Sequence, residues 1–282
     1  MFGHKLVQVL KTRFSVWATS RANFADFQNF KVFDSDKFIS DINVENFDVV
    51  RKVVETYNPN VIINAVGIIK QIPSSKEVIK TLQVNSIFPH QLAQLSQALG
   101  KRLITISTDC VFNGRKGNYT EEDISDAEDL YGKSKNLGEV SAPDCLTLRT
   151  SIIGRELQTS HSLVEWFLSN QGKKIDGYTN AIYSGFPTII LAHIISDLIE
   201  NHKNLQGVYH VSSKPISKFD LLCLLKNFYK IPVEIKPYAN FKIDRSLDST
   251  KFRNETGFVP LDWEEMIERM VQDPTPYNDF KS

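Results

Sequence analysis

Two short runs, "NVIINAVG" (60–67) and "KRLITISTD" (101–109), constrain this chain most. Each is almost continuously apolar and rich in β-branched residues. A strand with one wet face alternates apolar and polar positions. A continuous run needs cover on both faces, as inside a parallel sheet. "SVWAT" (15–19), "CLTLRTS" (145–151) and "GVYHVSS" (207–213) read as further strands. Helical spacing lies between them. "FDVVRKVVETY" (47–57) puts Phe47, Val50, Val53 and Val54 on one face and stops at Asn58-Pro59. Leu6, Val9 and Leu10 keep helical spacing within 6–14. Residues 75–99 form a long amphipathic segment, interrupted at Pro89 and closed by Gly100. Residues 129–141, 217–229 and 263–271 complete the helices.

Strands alternating with helices predict an α/β fold: a doubly wound, mostly parallel, Rossmann-like sheet. Residues 1–150, with about 186–213, are expected to form it. Residues 151–185 and 214–282 then make a smaller C-terminal lid. Open sheets of this kind bind ligands beyond the carboxyl ends of their strands. The places to search are Thr19-Ser20-Arg21, Asn64 to Gly67, Ser107-Thr108-Asp109 and Arg149-Thr150-Ser151.

Charge narrows the function. Lys+Arg and Asp+Glu both number 33, so no basic excess supports a nucleic-acid polymer as partner. The apolar runs 61–69 and 188–195 fall short of the ~20 residues that span a bilayer. "MFGHKLVQVLKTRF" has neither the apolar stretch nor the cleavage site of a signal peptide. Cys110, Cys145 and Cys223 form no disulfide framework, and a cytoplasmic setting is expected. The six His show no metal-ligand spacing. Cys110 reads as a packed residue rather than a nucleophile.

Three Tyr-x-x-x-Lys pairs occur: Tyr131/Lys135, Tyr238/Lys242 and Tyr277/Lys281. Tyr238 follows Pro237 in an irregular stretch, and Tyr277 lies in a Pro-rich tail. Only Tyr131 opens a helix shortly after a strand ending in Ser-Thr-Asp. Positions i and i+4 share a helix face. A Lys ammonium beside a phenol is expected to lower its high pKa, and Thr108 can hold the substrate oxygen next to it. Such a set protonates a carbonyl oxygen while hydride reaches its carbon.

The block "LITISTDCVFNGRKGNYTEEDISDAEDLYGKSKNLGE" resembles the extended short-chain dehydrogenase/reductase superfamily, in particular its dTDP-4-dehydrorhamnose reductase branch. The similarity runs on through "LTLRTSIIG", "NAIYSGFPT", "GVYHVSS" and "RSLDSTKF". The resemblance implies an oxidoreductase acting on a nucleotide sugar in cell-surface polysaccharide precursor synthesis, possible as a homodimer. It makes Tyr131 the proton donor, Lys135 the ribose ligand, Thr108 the hydroxyl partner and Asp109 an orienting or substrate residue. Gly3, Ala65, Val66 and Gly67 are expected along the cofactor, with Asn85 behind the catalytic Lys and Asn43 near the adenine. Arg21 stands where a carboxylate would select NAD, which favours NADP(H) while leaving NAD(H) open. Val111, Phe112, Asn180, Ile182 and Arg245 are expected around the sugar nucleotide, with Arg245 toward its diphosphate. No metal is implied.

The chain departs from this branch at its start. Gly3 matches the third glycine of a Gly-x-x-Gly-x-x-Gly turn, while the first strand and most of that turn are missing. The expectation is a start set at an internal Met, in a natural protein about ten residues longer. A non-catalytic binding subunit of the same fold is the alternative, although binding alone needs no Thr108, Tyr131 and Lys135. A nucleotide-sugar epimerase or dehydratase is the other. Cys110 after Asp109 argues for simple reduction, because a dehydratase carries acidic residues there.

Overall fold

The computed structural model describes residues 1–70 and 76–279. Its elements follow the chain as α1 (Phe2–Leu10), β1 (Ala18–Thr19), β2 (Phe38–Ile39), α2 (Phe47–Tyr57), β3 (Val61–Asn64), α3 (Val78–Leu82), α4 (Phe88–Ala98), β4 (Arg102–Thr108), α5 (Leu130–Leu137) and β5 (Cys145–Thr150). They continue as β6 (Ile152–Ile153), α6 (Leu163–Leu168), β7 (Lys174–Tyr183), β8 (Phe186–Pro187), α7 (Thr188–Glu200), β9 (Gly207–His210), β10 (Ile216–Ser217), α8 (Lys218–Tyr229), β11 (Glu234–Asp244), α9 (Thr250–Thr256) and α10 (Trp263–Val271).

The main sheet has the order β3-β4-β5-β9, and every pairing in it is parallel. Its strands are covered on both faces, as the continuous apolar runs require. Leu103 and Cys145 pack with Val50, Val54, Phe88 and Leu92 from α2 and α4. Ile104, Leu146 and Leu148 point the other way, onto Leu6, Val9 and Leu10 of α1 and Leu191 and Ile195 of α7. This is a Rossmann-like α/β fold.

A second sheet stands beside it. Strand β7 lies between antiparallel β10 and parallel β11. The β11 segment has no apolar rhythm because it is exposed along most of its length. Tyr238 therefore sits in a strand, not in the irregular stretch its neighbours suggested. The strand read at 15–19 shrinks to Ala18–Thr19, which among the described residues pairs only with Phe38–Ile39. A segment becomes strand only where a partner supplies its hydrogen bonds.

The interruption expected at Pro89 is a widened turn rather than a break. Residues Gln83–Ile87 form a π-helical stretch between α3 and α4. Pro89 has no N–H to offer the Asn85 carbonyl four residues before it, so the ladder loosens there. Gly138 then comes so close that a Cβ on it would lie 1.9 Å from the Asn85 carbonyl oxygen. Helix α5 is thereby drawn against this turn.

The tail closes over α1. Lys5 forms a buried ion pair with Asp273 and donates to Thr275 Oγ1 at 3.0 Å. His4 Nε2 lies 2.8 Å from the Tyr277 hydroxyl. Tyr277 is thus spent on packing, and its expected partner Lys281 lies outside the described residues. Among the described residues no helix is long and apolar enough to cross a membrane, and no cluster of three metal-ligating side chains occurs.

Candidate active site

The carboxyl ends of β3, β4 and β5 open into a cleft of about 390 Å³. Its floor brings together Ala65, Val66, Gly67, Thr108, Asp109, Tyr131 and Lys135, and its far wall carries Ile182, Tyr183, Lys218 and Arg245. Met1 and Phe2, at the N-terminus of α1, line it as well.

Local chemistry places each group. Asp129 caps α5 by accepting the Gly132 N–H at 2.8 Å, which starts the helix at Leu130, one residue before Tyr131. A Cβ on Gly132 would meet the Cys110 carbonyl oxygen at 2.2 Å. Only glycine lets α5 approach the Asp109–Val111 turn this closely and set the phenol beside Thr108. The Thr108 hydroxyl faces the Tyr131 phenol, donates to Asp109 Oδ1 at 3.1 Å and accepts the Cys110 N–H at 3.1 Å. Lys135 is buried and donates from Nζ to the Ile106 carbonyl at 2.8 Å.

The electrostatics differ from the simple Tyr–Lys expectation. Burial pushes the Tyr131 phenol well above its ordinary value, with the Cys110 thiol acting in the same direction; the Thr108 hydrogen bond opposes them and Asp109 adds to them. Burial also lowers Lys135 to about 8, against the pull of Glu139. The ammonium is held on a backbone carbonyl, so it does not set the phenol's value here. A phenol that keeps its proton at neutral pH suits a proton donor. Burial raises the Asp109 carboxyl, opposed by the charges of Arg245 and Lys218. The Cys110 thiol is pushed up to about 11, mainly by burial, as a packed and unreactive cysteine should be.

Asn85 is buried behind the loop after β3, and its contacts are with that loop and with the neighbour of Lys135. Its Oδ1 accepts the Ile68 N–H at 2.8 Å, and its Nδ2 donates to the Ile68 carbonyl at 3.0 Å and to Ser134 Oγ at 3.1 Å. It ties the loop after β3 to α5. Ala65, Val66 and Gly67 are exposed to the cleft and carry little side chain into it. Together with two cations, Lys70 and Lys135, this wall fits a flat, anionic dinucleotide.

Other expected residues lie elsewhere. The Val111 and Phe112 side chains are fully buried in a small core with Tyr119 and Leu247, where Phe112 stacks on Tyr119 at 4.1 Å. The Phe112 carbonyl accepts from Arg245 Nε at 2.7 Å, and Arg245 is the residue that lines the cleft. Asn180 is spent on the Ala239 carbonyl, at 2.9 Å across the β7–β11 pair. Asn43 closes the turn before α2 by accepting the Glu45 N–H at 3.1 Å. Gly3 is exposed beside the cleft, with open space where a Cβ would sit. Arg21 is exposed just past β1 and does not line the cleft.

Sequence reasoning missed the support behind this floor. Glu139, four residues after Lys135, accepts from Ser107 Oγ at 2.6 Å and from Arg149 Nε at 2.9 Å and Nη2 at 2.7 Å. Its i+4 spacing from Lys135 was the available signal. Arg149 also reaches His210 Nε2 at 3.2 Å, while His210 Nδ1 lies 3.0 Å from the Tyr119 carbonyl. Arg149 has no acceptor, so His210 is neutral, accepting at Nε2 and donating from Nδ1. Burial, aided by Arg149, pushes His210 down to about 4.

A stability prediction follows from that depression. The unfolded imidazole takes up its proton near pH ~6.5 and the folded one only near 4. The stabilisation is full above the unfolded value and is lost as pH falls toward 4, by up to about 3 kcal/mol. His210→Asn keeps a donor near the Nδ1 position and cannot titrate. Melting temperatures from pH 7.5 to 4 should fall more steeply for the natural protein than for this variant; parallel curves would refute the assignment.

Comparison with known proteins gives these observations a family. The profile of the RmlD substrate binding domain matches residues 1–275. The chain belongs to the RmlD substrate binding domain family. Within its reach is a dTDP-4-dehydrorhamnose reductase from Aggregatibacter actinomycetemcomitans, 27% identical over 255 residues, covering 82% of this chain and 87% of that protein. The spore coat polysaccharide biosynthesis protein SpsK of Bacillus subtilis is 27% identical over 247 residues, covering 82% and 86%. Among solved structures, a hypothetical dTDP-4-dehydrorhamnose reductase from Sulfolobus tokodaii superposes with a TM-score of 0.75 at 26% identity, over 93% of this chain and 94% of that one.

Proposed function

We propose that this RmlD-family chain reduces the 4-keto group of a nucleotide-activated deoxysugar, with NADPH as the preferred hydride source and NADH accepted. The observation that carries this reading is the single floor on which the Thr108 hydroxyl, a protonated Tyr131 and a buried Lys135 meet beside a wall of small residues. The reduced nicotinamide, when bound, supplies the hydride. Lys135 and the backbone around Ala65–Gly67 would hold it against the floor. Thr108 holds the keto oxygen, and Tyr131 gives that oxygen its proton. A binding module needs no such trio.

The same reading divides the chain between cofactor and substrate. Residues 1–150 with about 186–213 hold the dinucleotide, and residues 151–185 and 214–282 cover the sugar nucleotide. Membership beside a spore coat polysaccharide protein supports a place in polysaccharide precursor synthesis. A cytoplasmic homodimer completes the proposal.

The direct test is loss of NADPH absorbance on mixing the chain with dTDP-4-dehydrorhamnose or its UDP-linked 4-keto counterparts. Turnover on at least one is expected, and inactivity on all of them would overturn the reading. Arg21→Ala should weaken NADPH binding more than NADH binding, because only the former offers a 2′-phosphate to the exposed guanidinium. Equal losses, read by fluorescence titration, would remove Arg21 from the cofactor site.

A further inference from the structure

Helix α8 begins in an unusual way. Ser217 caps it by accepting the Asp220 N–H at 3.0 Å, which leaves Lys218 as the first helical residue. A cation there faces the positive end of the helix dipole, where acidic residues are preferred. The backbone leaves it no choice of place. Ile216 and Ser217 are locked as β10 onto Tyr183 and Ile182 of β7. Lys218 therefore emerges in the cleft wall, with Nζ 4.4 Å from the centroid of the Tyr183 ring and its charge facing Asp109.

The other cations of the cleft have acceptors. Lys135 donates to Ile106, Lys70 pairs with Asp129 at 2.6 Å, and Arg245 is held by Phe112. Among the described residues, no oxygen accepts a hydrogen bond from Lys218 Nζ, and no carboxylate lies within 4 Å of it. An ammonium has three donors to satisfy. Burial already lowers its pKa. A part-buried cation without a protein acceptor, set against a helix dipole, breaks local rules, and such breaks concentrate at functional positions. Asp109 directly follows Thr108, so Lys218 reaches the part of the cleft beside the reacting carbonyl, where the sugar ring lies rather than the diphosphate.

We infer that Lys218 is a specificity-determining residue that binds the sugar of the substrate. Its ammonium donates to an acceptor oxygen, a hydroxyl or an acyl carbonyl, on the ring beside the carbon being reduced. This rests on the sugar-nucleotide reading above. It predicts selectivity for sugars that carry such an oxygen, and it gives Asp109 a second duty in aiming the ammonium.

Titration calorimetry with NADP⁺ present separates the possibilities. The probes are dTDP, UDP, dTDP-glucose and UDP-glucose, against the natural protein and Lys218→Met. The natural protein is expected to bind at least one nucleoside diphosphate, and its glucose ester more tightly. Lys218→Met should keep the diphosphate affinity and lose about ten-fold or more on the ester. Its melting temperature should be no lower than that of the natural protein, because a part-buried cation with no protein acceptor is replaced by an apolar chain of similar length; Lys218→Arg should recover part of the ester affinity. Equal losses on diphosphate and ester would assign Lys218 to the diphosphate and overturn the inference. So would an unchanged ester affinity, a sugar that adds nothing in the natural protein, or a lowered melting temperature, which would make Lys218 a structural partner of Asp109. Failure of the natural protein to bind any of the four probes would instead refute the sugar-nucleotide reading itself.

Discussion

Tyr131→Phe is expected to cut turnover by about 10²–10⁴-fold, the usual contribution of a positioned general acid, while NADPH affinity stays nearly constant. The ring fills the same space, so the Gly132 contact and the start of α5 are preserved. Only the proton is lost. Burial holds the phenol protonated across the neutral range, so the loss should be similar at every pH from about 6 to 8. Single-turnover rates and a separate NADPH titration decide the matter. Full turnover in the variant would remove Tyr131 from the chemistry. Tyr238→Phe and Tyr277→Phe are the controls: Tyr238 stands on an exposed strand and Tyr277 in the tail packed on α1, neither in the cleft.

The second large effect is on stability. Glu139→Ala should destabilise the fold by about 3–5 kcal/mol, because it leaves the Arg149 guanidinium buried without its carboxylate. Both side chains of this pair are less than one-tenth exposed, so solvent does little to replace the lost partner. Ser107 loses its acceptor at the same time. The damage is central, since the network joins β4, β5 and α5, the three elements that carry Thr108, Arg149 and Tyr131. Glu139→Gln retains the shape and one acceptor, and should cost less. Urea midpoints of the three proteins provide the check. An alanine variant within about 1 kcal/mol of the natural protein, the range of an exposed ion pair, would show that the pair is not what binds these elements.

By itself the sequence determined the layered sheet and the grouping of Thr108, Tyr131 and Lys135 at one cleft. Continuous apolar runs report burial on both faces, and that pattern is local. The strands at 61–64, 102–108, 145–150 and 207–210 and the helix at 47–57 fall where the pattern put them. Tyr131 and Lys135 share one helix, and Thr108 ends the strand before it, so spacing and element type sufficed to group them. Tertiary structure alone decided the rest. Strand β11 carries almost no apolar code because its pairing with β7 is stabilised through the backbone. Val111 and Phe112 turned inward because Tyr119 and Leu247, distant in sequence, close a core around them. The charge states were the least legible. The phenol rises, the Lys135 ammonium falls and His210 stays neutral through desolvation, which depends on everything packed around a group and on nothing in its immediate sequence. Lys218 shows the same limit: a lysine opening a helix is ordinary on the page, and only the pairing of β10 with β7 turns it into the cleft beside Asp109.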